Sequence, residues 1–158
     1  MKIHLFECEL WFPQTPAEIF PFFADAANLQ TLTPSTLHFE ILTPRPIAMR
    51  AGALIDYKLR IHGFPVRWRT EITEWDPPHR FVDKQLRGPY KLWLHEHTFT
   101  PETGPRGGTL AKDRVEYAAP GGPLVHRWLI RPDLERIFAF RTKVLRKMFV
   151  EKAPPASI

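Results

Sequence analysis

Between Leu37 and Ala118 turn residues punctuate the chain so often that only short extended segments fit. LHFEILT (37–43), LIDYKLRIH (54–62), VRWRTEITEW (66–75), RFVDKQL (80–86), YKLWLHEHTFT (90–100) and TLAKDRVEYA (109–118) read as strands. Gly63, the breaker DPPH and the Gly/Pro-rich stretch 104–108 separate several of them. Consecutive strands with short connections predict an antiparallel meander. Residues 3–12 read as one more strand ahead of it.

Helix signals flank this run. Thr15 followed three residues later by Glu18 is a capping box, and Pro16 takes the first helical position. The helix should bury Ile19, Phe20, Phe22 and Phe23, with Pro21 shortening or bending it. DAANLQTL predicts a second short helix closed by Pro34. Past APGGP (119–123), residues 124–130 read as a short helical segment. Pro132, with Asp133 and Glu135 behind it, starts a helix to Phe149 of about 27 Å. At 100° per residue, Leu134, Ile137, Phe138, Val144, Leu145 and Met148 form its apolar stripe. Arg141 projects into the middle of that stripe, where a charge must snorkel out or find a partner. The fold class expected is α+β, as a single domain over residues 1–150 with a flexible tail over 151–158.

The matching order of elements, together with PAEIFPFFADAANLQTLTP, ITEWDPPHRFVDKQLRGPYKLW, DRVEYAAPGGP and LERIFAFRTKVLRKMF, resembles the START-like (SRPBCC, Bet v 1-like) superfamily. That superfamily includes the polyketide cyclases/dehydrases, and the likeness is greatest to its bacterial cell-division-inhibitor-like subgroup. The resemblance implies a helix-grip fold, in which a curved sheet of six to seven strands wraps a long C-terminal helix and encloses a cavity. It does not decide activity, because one scaffold hosts many functions.

Strand alternation chooses the cavity face. Val66, Trp68, Thr70 and Ile72 alternate with charged or polar neighbours, so they face in. The same logic turns Phe81, Asp83 and Gln85 inward, and Ala111, Asp113, Val115 and Tyr117 as well. Trp93, His95, His97 and Phe99 then share the inner face of their strand, although Leu92 and Leu94 argue the other way. The expected binding set is therefore Trp68, Phe81, Trp93, Phe99, Tyr117, Ile137 and Phe138 as apolar walls. Asp83, Gln85, His95, His97, Asp113 and Arg141 supply orientation. Asp113–Arg141 is the preferred ion pair, with Asp83–Arg141 as second choice.

Two imidazoles at alternate positions of one strand lie about 6–7 Å apart, a spacing that metal sites use, and Asp113 would be the third ligand. The simpler expectation is that His95 and His97 hydrogen-bond each other, Asp113 or a ligand, with no metal and no cofactor. No nucleophile elbow or Gly-rich phosphate loop is present. Binding of a small, largely apolar ligand (lipid, isoprenoid or polycyclic) is the favoured function. A cyclase/dehydrase-type enzyme using a cavity His/Asp pair and a protein-interaction module without a small ligand are the alternatives.

Charge and composition narrow the partners. The net charge is +5, but Lys and Arg are scattered, and the densest group lies on the last helix. That argues against nucleic acid and leaves peripheral membrane contact weakly supported. Cys8 is the single cysteine, so no internal disulfide forms, and a reducing, cytoplasmic setting is expected. The N-terminus has no apolar stretch of signal-peptide type, and no apolar run approaches the ~20 residues of a membrane span. A monomer or weak homodimer is expected.

Overall fold

The computed structural model describes residues 1–152. Seven antiparallel strands form one sheet: β1 (His4–Phe12), β2 (Glu40–Ile41), β3 (Leu54–Ile61), β4 (Phe64–Asp76), β5 (Arg80–Arg87), β6 (Leu92–Pro101) and β7 (Thr109–Ala118). Their spatial order is β1-β7-β6-β5-β4-β3-β2. Neighbours from β2 to β7 are neighbours in sequence, as the short connections require. β1 closes the far edge by pairing with β7, from His4↔Tyr117 to Phe12↔Thr109. With the long helix across its inner face, the sheet is a helix-grip α+β fold.

The expected strand at 37–43 shrinks to Glu40–Ile41. A tight 3-10 turn over Ser35–Leu37 precedes it, and His38 sits at φ 46, outside extended space. β4 is longer than expected, and its pairing with β5 is bulged twice, first by Leu86 on β5 opposite Arg69/Thr70 and then by Thr73 on β4 between Ile72 and Glu74. The second bulge resets the alternation, so half-buried Trp75 joins the inner face and packs on Phe20 and Phe81.

Helix α1 (Pro16–Ala24) has the capping box foreseen. Thr15 Oγ1 accepts from the Glu18 amide at 3.3 Å, and Glu18 Oε2 accepts from the Thr15 amide at 2.7 Å. Pro21 does not break the helix, which ends three residues later where Asp25 leaves helical space. The Asp25 carboxylate then accepts from the Ala27 amide and opens a 3-10 turn over Ala26–Leu29. The second short helix is thus a chain of tight turns rather than an α-helix.

The C-terminal helix is longer at its start than the sequence suggests. Helical backbone runs from α2 (Gly122–Val125) through a π-turn (His126–Ile130), α3 (Arg131–Leu145) and a second π-turn (Arg146–Val150). Leu134, Phe138 and Leu145 are buried as expected, whereas Met148 is exposed. The final π-turn adds a residue to the turn and shifts the apolar stripe, so Phe149 packs inward instead, against Phe12 and Phe22. Glu151 and Lys152 form a turn; residues 153–158 of the expected tail lie outside the described residues. No helix among the described residues is long and apolar enough to cross a membrane.

Candidate functional site

A cavity of about 190 Å³ lies between the inner face of the sheet and α3. Two aromatic clusters pack on either side of its polar wall. Phe6, Trp68, Trp93, Tyr117, Leu134 and Phe138 fill one end. Phe12, Phe20, Phe81, Phe99 and Leu145 fill the other. Leu29, Leu32 and Phe39, from the turns after α1, close over the space between. The wall is mostly apolar; Asp83, His95, His97 and Arg141 gather on β5, β6 and α3, while Asp25, Asn28 and Thr33 reach it from the turns after α1 and Tyr57 and Thr70 from β3 and β4.

The strand register explains that gathering. Asp83 of β5 stands opposite His95 of β6, and His97 of β6 stands opposite Asp113 of β7. All four side chains project from the inner face. His95 Nε2 and His97 Nδ1 both lie 2.9 Å from the same Asp113 oxygen, Oδ1. His97 Nε2 lies 2.9 Å from Asp83 Oδ2, and His95 Nδ1 lies 3.6 Å from that oxygen. The two imidazoles nearly touch, with ring centroids 3.7 Å apart, and His97 stacks on Phe81. The Cys8 thiol donates to the second oxygen of Asp113 at 3.8 Å.

Burial works against charge at every member of the cluster. At Asp113 the hydrogen bonds from His95 and His97 outweigh it and hold the carboxyl well below the usual range. At Asp83 the two histidines and the Arg141 charge overcome burial and lower its pKa. For His97 burial is again the largest influence, but hydrogen bonds to Asp113 and Asp83 reverse it and its pKa is raised. Burial and the neighbouring His97 win at His95, which is lowered. A carboxylate can only accept, so His97, held between two of them, carries protons on both nitrogens when nothing else occupies the cluster. His95 stays neutral beside it, because two stacked cations would repel.

Nine of the thirteen expected binding residues line the cavity: Trp68, Phe81, Asp83, Trp93, His95, His97, Ile137, Phe138 and Arg141. Asp113 and Phe99 instead line a much smaller pocket of about 20 Å³ behind the cluster, with Cys8 and Leu145. Tyr117 is fully buried, its hydroxyl 2.8 Å from His126 Nε2, and does not reach the cavity. Gln85 is spent on the β5–β6 connection. Its side-chain amide donates to the Tyr90 carbonyl at 2.7 Å and accepts from the Tyr90 amide at 3.3 Å.

Arg141 corrects the expected ion pair. Among the described residues neither Asp113 nor Asp83 lies within 4 Å of its guanidinium, because the histidines already satisfy both carboxylates. The guanidinium lies 5.5 Å from the Phe138 ring centroid, and the residue lines both the cavity and the small pocket. It acts on the cluster through its charge rather than by contact.

Other wall residues escaped the sequence reading. Tyr57 stacks on Trp68 and its hydroxyl lies 3.5 Å from Thr70 Oγ1. The signal for it was the alternation Ile55, Tyr57, Leu59, Ile61 in the β3 segment. Phe39 and Met49 come from irregular chain and Leu29 from a single 3-10 turn, too short for a period to mark an inward face. The indole N–H of Trp68 is buried without an acceptor among the described residues.

Comparisons with known proteins agree with this architecture. Residues 12–140 match the family model described as polyketide cyclase/dehydrase and lipid transport. No curated protein matches the sequence. Among solved structures, the di-domain ARO/CYC StfQ of the steffimycin biosynthetic pathway superposes with a TM-score of 0.72 at 16% identity. That match covers 95% of this chain and 51% of StfQ. TTHA0849 from Thermus thermophilus has a TM-score of 0.64 at 19% identity, covering 91% of this chain and 92% of its own. Major latex-like protein 151 from Panax ginseng has 0.65 at 11% identity, covering 94% and 98%.

Proposed function

The chain belongs to the polyketide cyclase/dehydrase and lipid transport family, and from that premise we propose that it binds a compact, largely apolar small molecule between the sheet and α3. The observation that carries this reading is the cavity itself, mostly apolar and with a buried His/Asp cluster in one wall. Close packing normally leaves few voids larger than a water molecule, so a space of about 190 Å³ calls for an occupant. It slightly exceeds the roughly 150 Å³ apolar cavity that takes up benzene. That size favours a compact ring system, such as a small polycycle or cyclic isoprenoid, over a full-length acyl chain. A module that only bound other proteins would have no use for such a space.

The polar wall would orient the molecule. Arg141 offers a cation unspent on any carboxylate among the described residues, the Trp68 indole lacks an acceptor, and Tyr57 offers a hydroxyl. An apolar molecule with one oxygen function or anionic group at its end suits that distribution.

Native mass spectrometry of protein purified without detergent, followed by solvent extraction, tests the reading. The expected result is a bound species of low mass that is released into organic solvent. A chain that emerges empty and neither binds nor protects small aromatic probes would overturn it.

A further inference from the structure

We propose that Asp83, His95 and His97 hold a divalent cation of the zinc(II) or iron(II) class in the cavity wall, with Asp113 behind them setting both imidazoles. Asp113 decides which nitrogens are free. Its Oδ1 lies 2.9 Å from one nitrogen of each histidine, so those two nitrogens carry the protons. The nitrogens left over are His95 Nδ1 and His97 Nε2. In neutral imidazoles both hold lone pairs, and both face Asp83 Oδ2, at 3.6 and 2.9 Å. Three electron-rich atoms therefore converge on one point in a buried site, and only a cation can satisfy them together.

A single proton does this incompletely. Placed on His97 Nε2 it completes the bond to Asp83, but it leaves His95 Nδ1 at 3.6 Å, beyond hydrogen-bond reach. It also leaves two carboxylates facing one cation. A divalent ion meets all three atoms and balances both carboxylates. Metal–ligand distances of about 2.0–2.1 Å put tetrahedral ligand atoms roughly 3.4 Å apart. The separations of 2.9 and 3.6 Å bracket that value, and Asp83, His95 and His97 each bring one ligand atom into a group no more than 4.8 Å across, so small side-chain adjustments close it round an ion.

The surroundings match what such ions require. Two imidazoles and one carboxylate with an open position suit zinc(II) or iron(II). Asp113 plays the outer carboxylate that fixes the tautomer and orientation of ligating histidines. It lines the small pocket and not the main cavity, whereas all three ligands line the main cavity and only His97 of them also reaches the small pocket. The open coordination position therefore faces the cavity. Strand alternation suggested Asp113 as the third ligand; the register makes it Asp83, because Asp113 uses its oxygen on the nitrogens that point away.

The test uses the full chain, stripped with a chelator. Zinc(II) is titrated by calorimetry against a competing chelator, and cobalt(II) serves as the spectroscopic probe. The expected result is one equivalent of zinc(II), and visible cobalt(II) bands of a four- or five-coordinate site without thiolate charge transfer. His95→Gln and His97→Gln should each weaken zinc(II) affinity by roughly a hundredfold, and Asp113→Asn by about 10–100-fold. The double variant His4→Gln/His126→Gln removes the other stacked histidine pair, centroids 3.5 Å apart, and should bind as the wild type does. Absence of cobalt(II) bands in the stripped wild type overturns the proposal, even if every cluster variant fails to fold. So does a loss of binding confined to the His4/His126 variant.

Discussion

Burial beside Asp113 pushes the Cys8 thiol up to about 12, with the Asp113 charge as the second cause. The thiolate is the reactive form, so at pH 8 roughly one Cys8 in 10⁴ is reactive, against about one in four for an ordinary thiol. Iodoacetamide should therefore modify Cys8 orders of magnitude more slowly in the folded chain than in denaturant. Raising the pH from 8 to 10 should speed the native reaction about a hundredfold, since the native thiol is still far below its pKa. Equal rates in folded and denatured protein would show that Cys8 is not held this way. Arg141 gives a prediction of opposite kind. Lacking an ion pair among the described residues, Arg141→Met keeps the apolar stem and should change unfolding free energy by no more than about 0.5 kcal/mol in a denaturant titration. Loss of several kcal/mol would mean the arginine holds a buried partner after all. The sequence revealed the inward set on β6, because each alternate residue from Trp93 to Phe99 obeys one period. It also pointed to Asp113 as a partner of these histidines, which the structure bears out, but not to Asp83 as the second partner or to an Arg141 without an ion pair among the described residues. Whether Asp83 or Asp113 meets a histidine or Arg141 depends on register across three strands, which alternation along one strand does not contain.

The same division holds at the level of elements. Capping chemistry identified the start of α1, and short breakers identified the meander, because both signals are local. Bulges and π-turns were illegible, since each inserts one residue into a regular pattern that looks continuous in the sequence. The stretch between α1 and β3 was read least well, because its turns answer to Asp25, Thr33 and the prolines rather than to any period. The β6–β7 connection offers a test at this scale. Gly108 has φ +79, and a Cβ there would stand 2.1 Å from the Phe12 carbonyl oxygen at the end of β1. Gly108→Ala should cost about 2–3 kcal/mol through backbone strain and displacement of that strand end. Gly107 shares the turn and a positive φ of 59, but among the described residues nothing lies within 4 Å of its Cβ position. Gly107→Ala is the matched control, carrying the backbone strain without the contact and expected to cost only about 1 kcal/mol by thermal unfolding. Comparable losses in the two would mean that contact with β1 is not what restricts Gly108.

At the scale of the whole molecule the cavity is the feature left over once the core is packed. Ile137 is half-buried on α3 and lines it, so a larger side chain can fill the space from the helix side. Ile137→Trp should lower affinity for a small aromatic probe at least tenfold, roughly 1.4 kcal/mol, while far-UV circular dichroism stays unchanged. Unchanged probe affinity in the folded variant would place the binding space elsewhere. The edge pairing of β1 with β7 has a further consequence, for biosynthesis. β1 leaves the ribosome ahead of the other strands of its sheet, yet its partner strand is made about a hundred residues later, a delay of roughly 5–20 s at ordinary elongation rates. Strands β3 to β6 can pair in hairpins as they emerge, but Phe6 and Phe12 have no core to enter until β7 exists. During that interval the nascent chain carries both rings on an unpaired segment, exposed apolar surface of the kind that favours aggregation before the sheet closes.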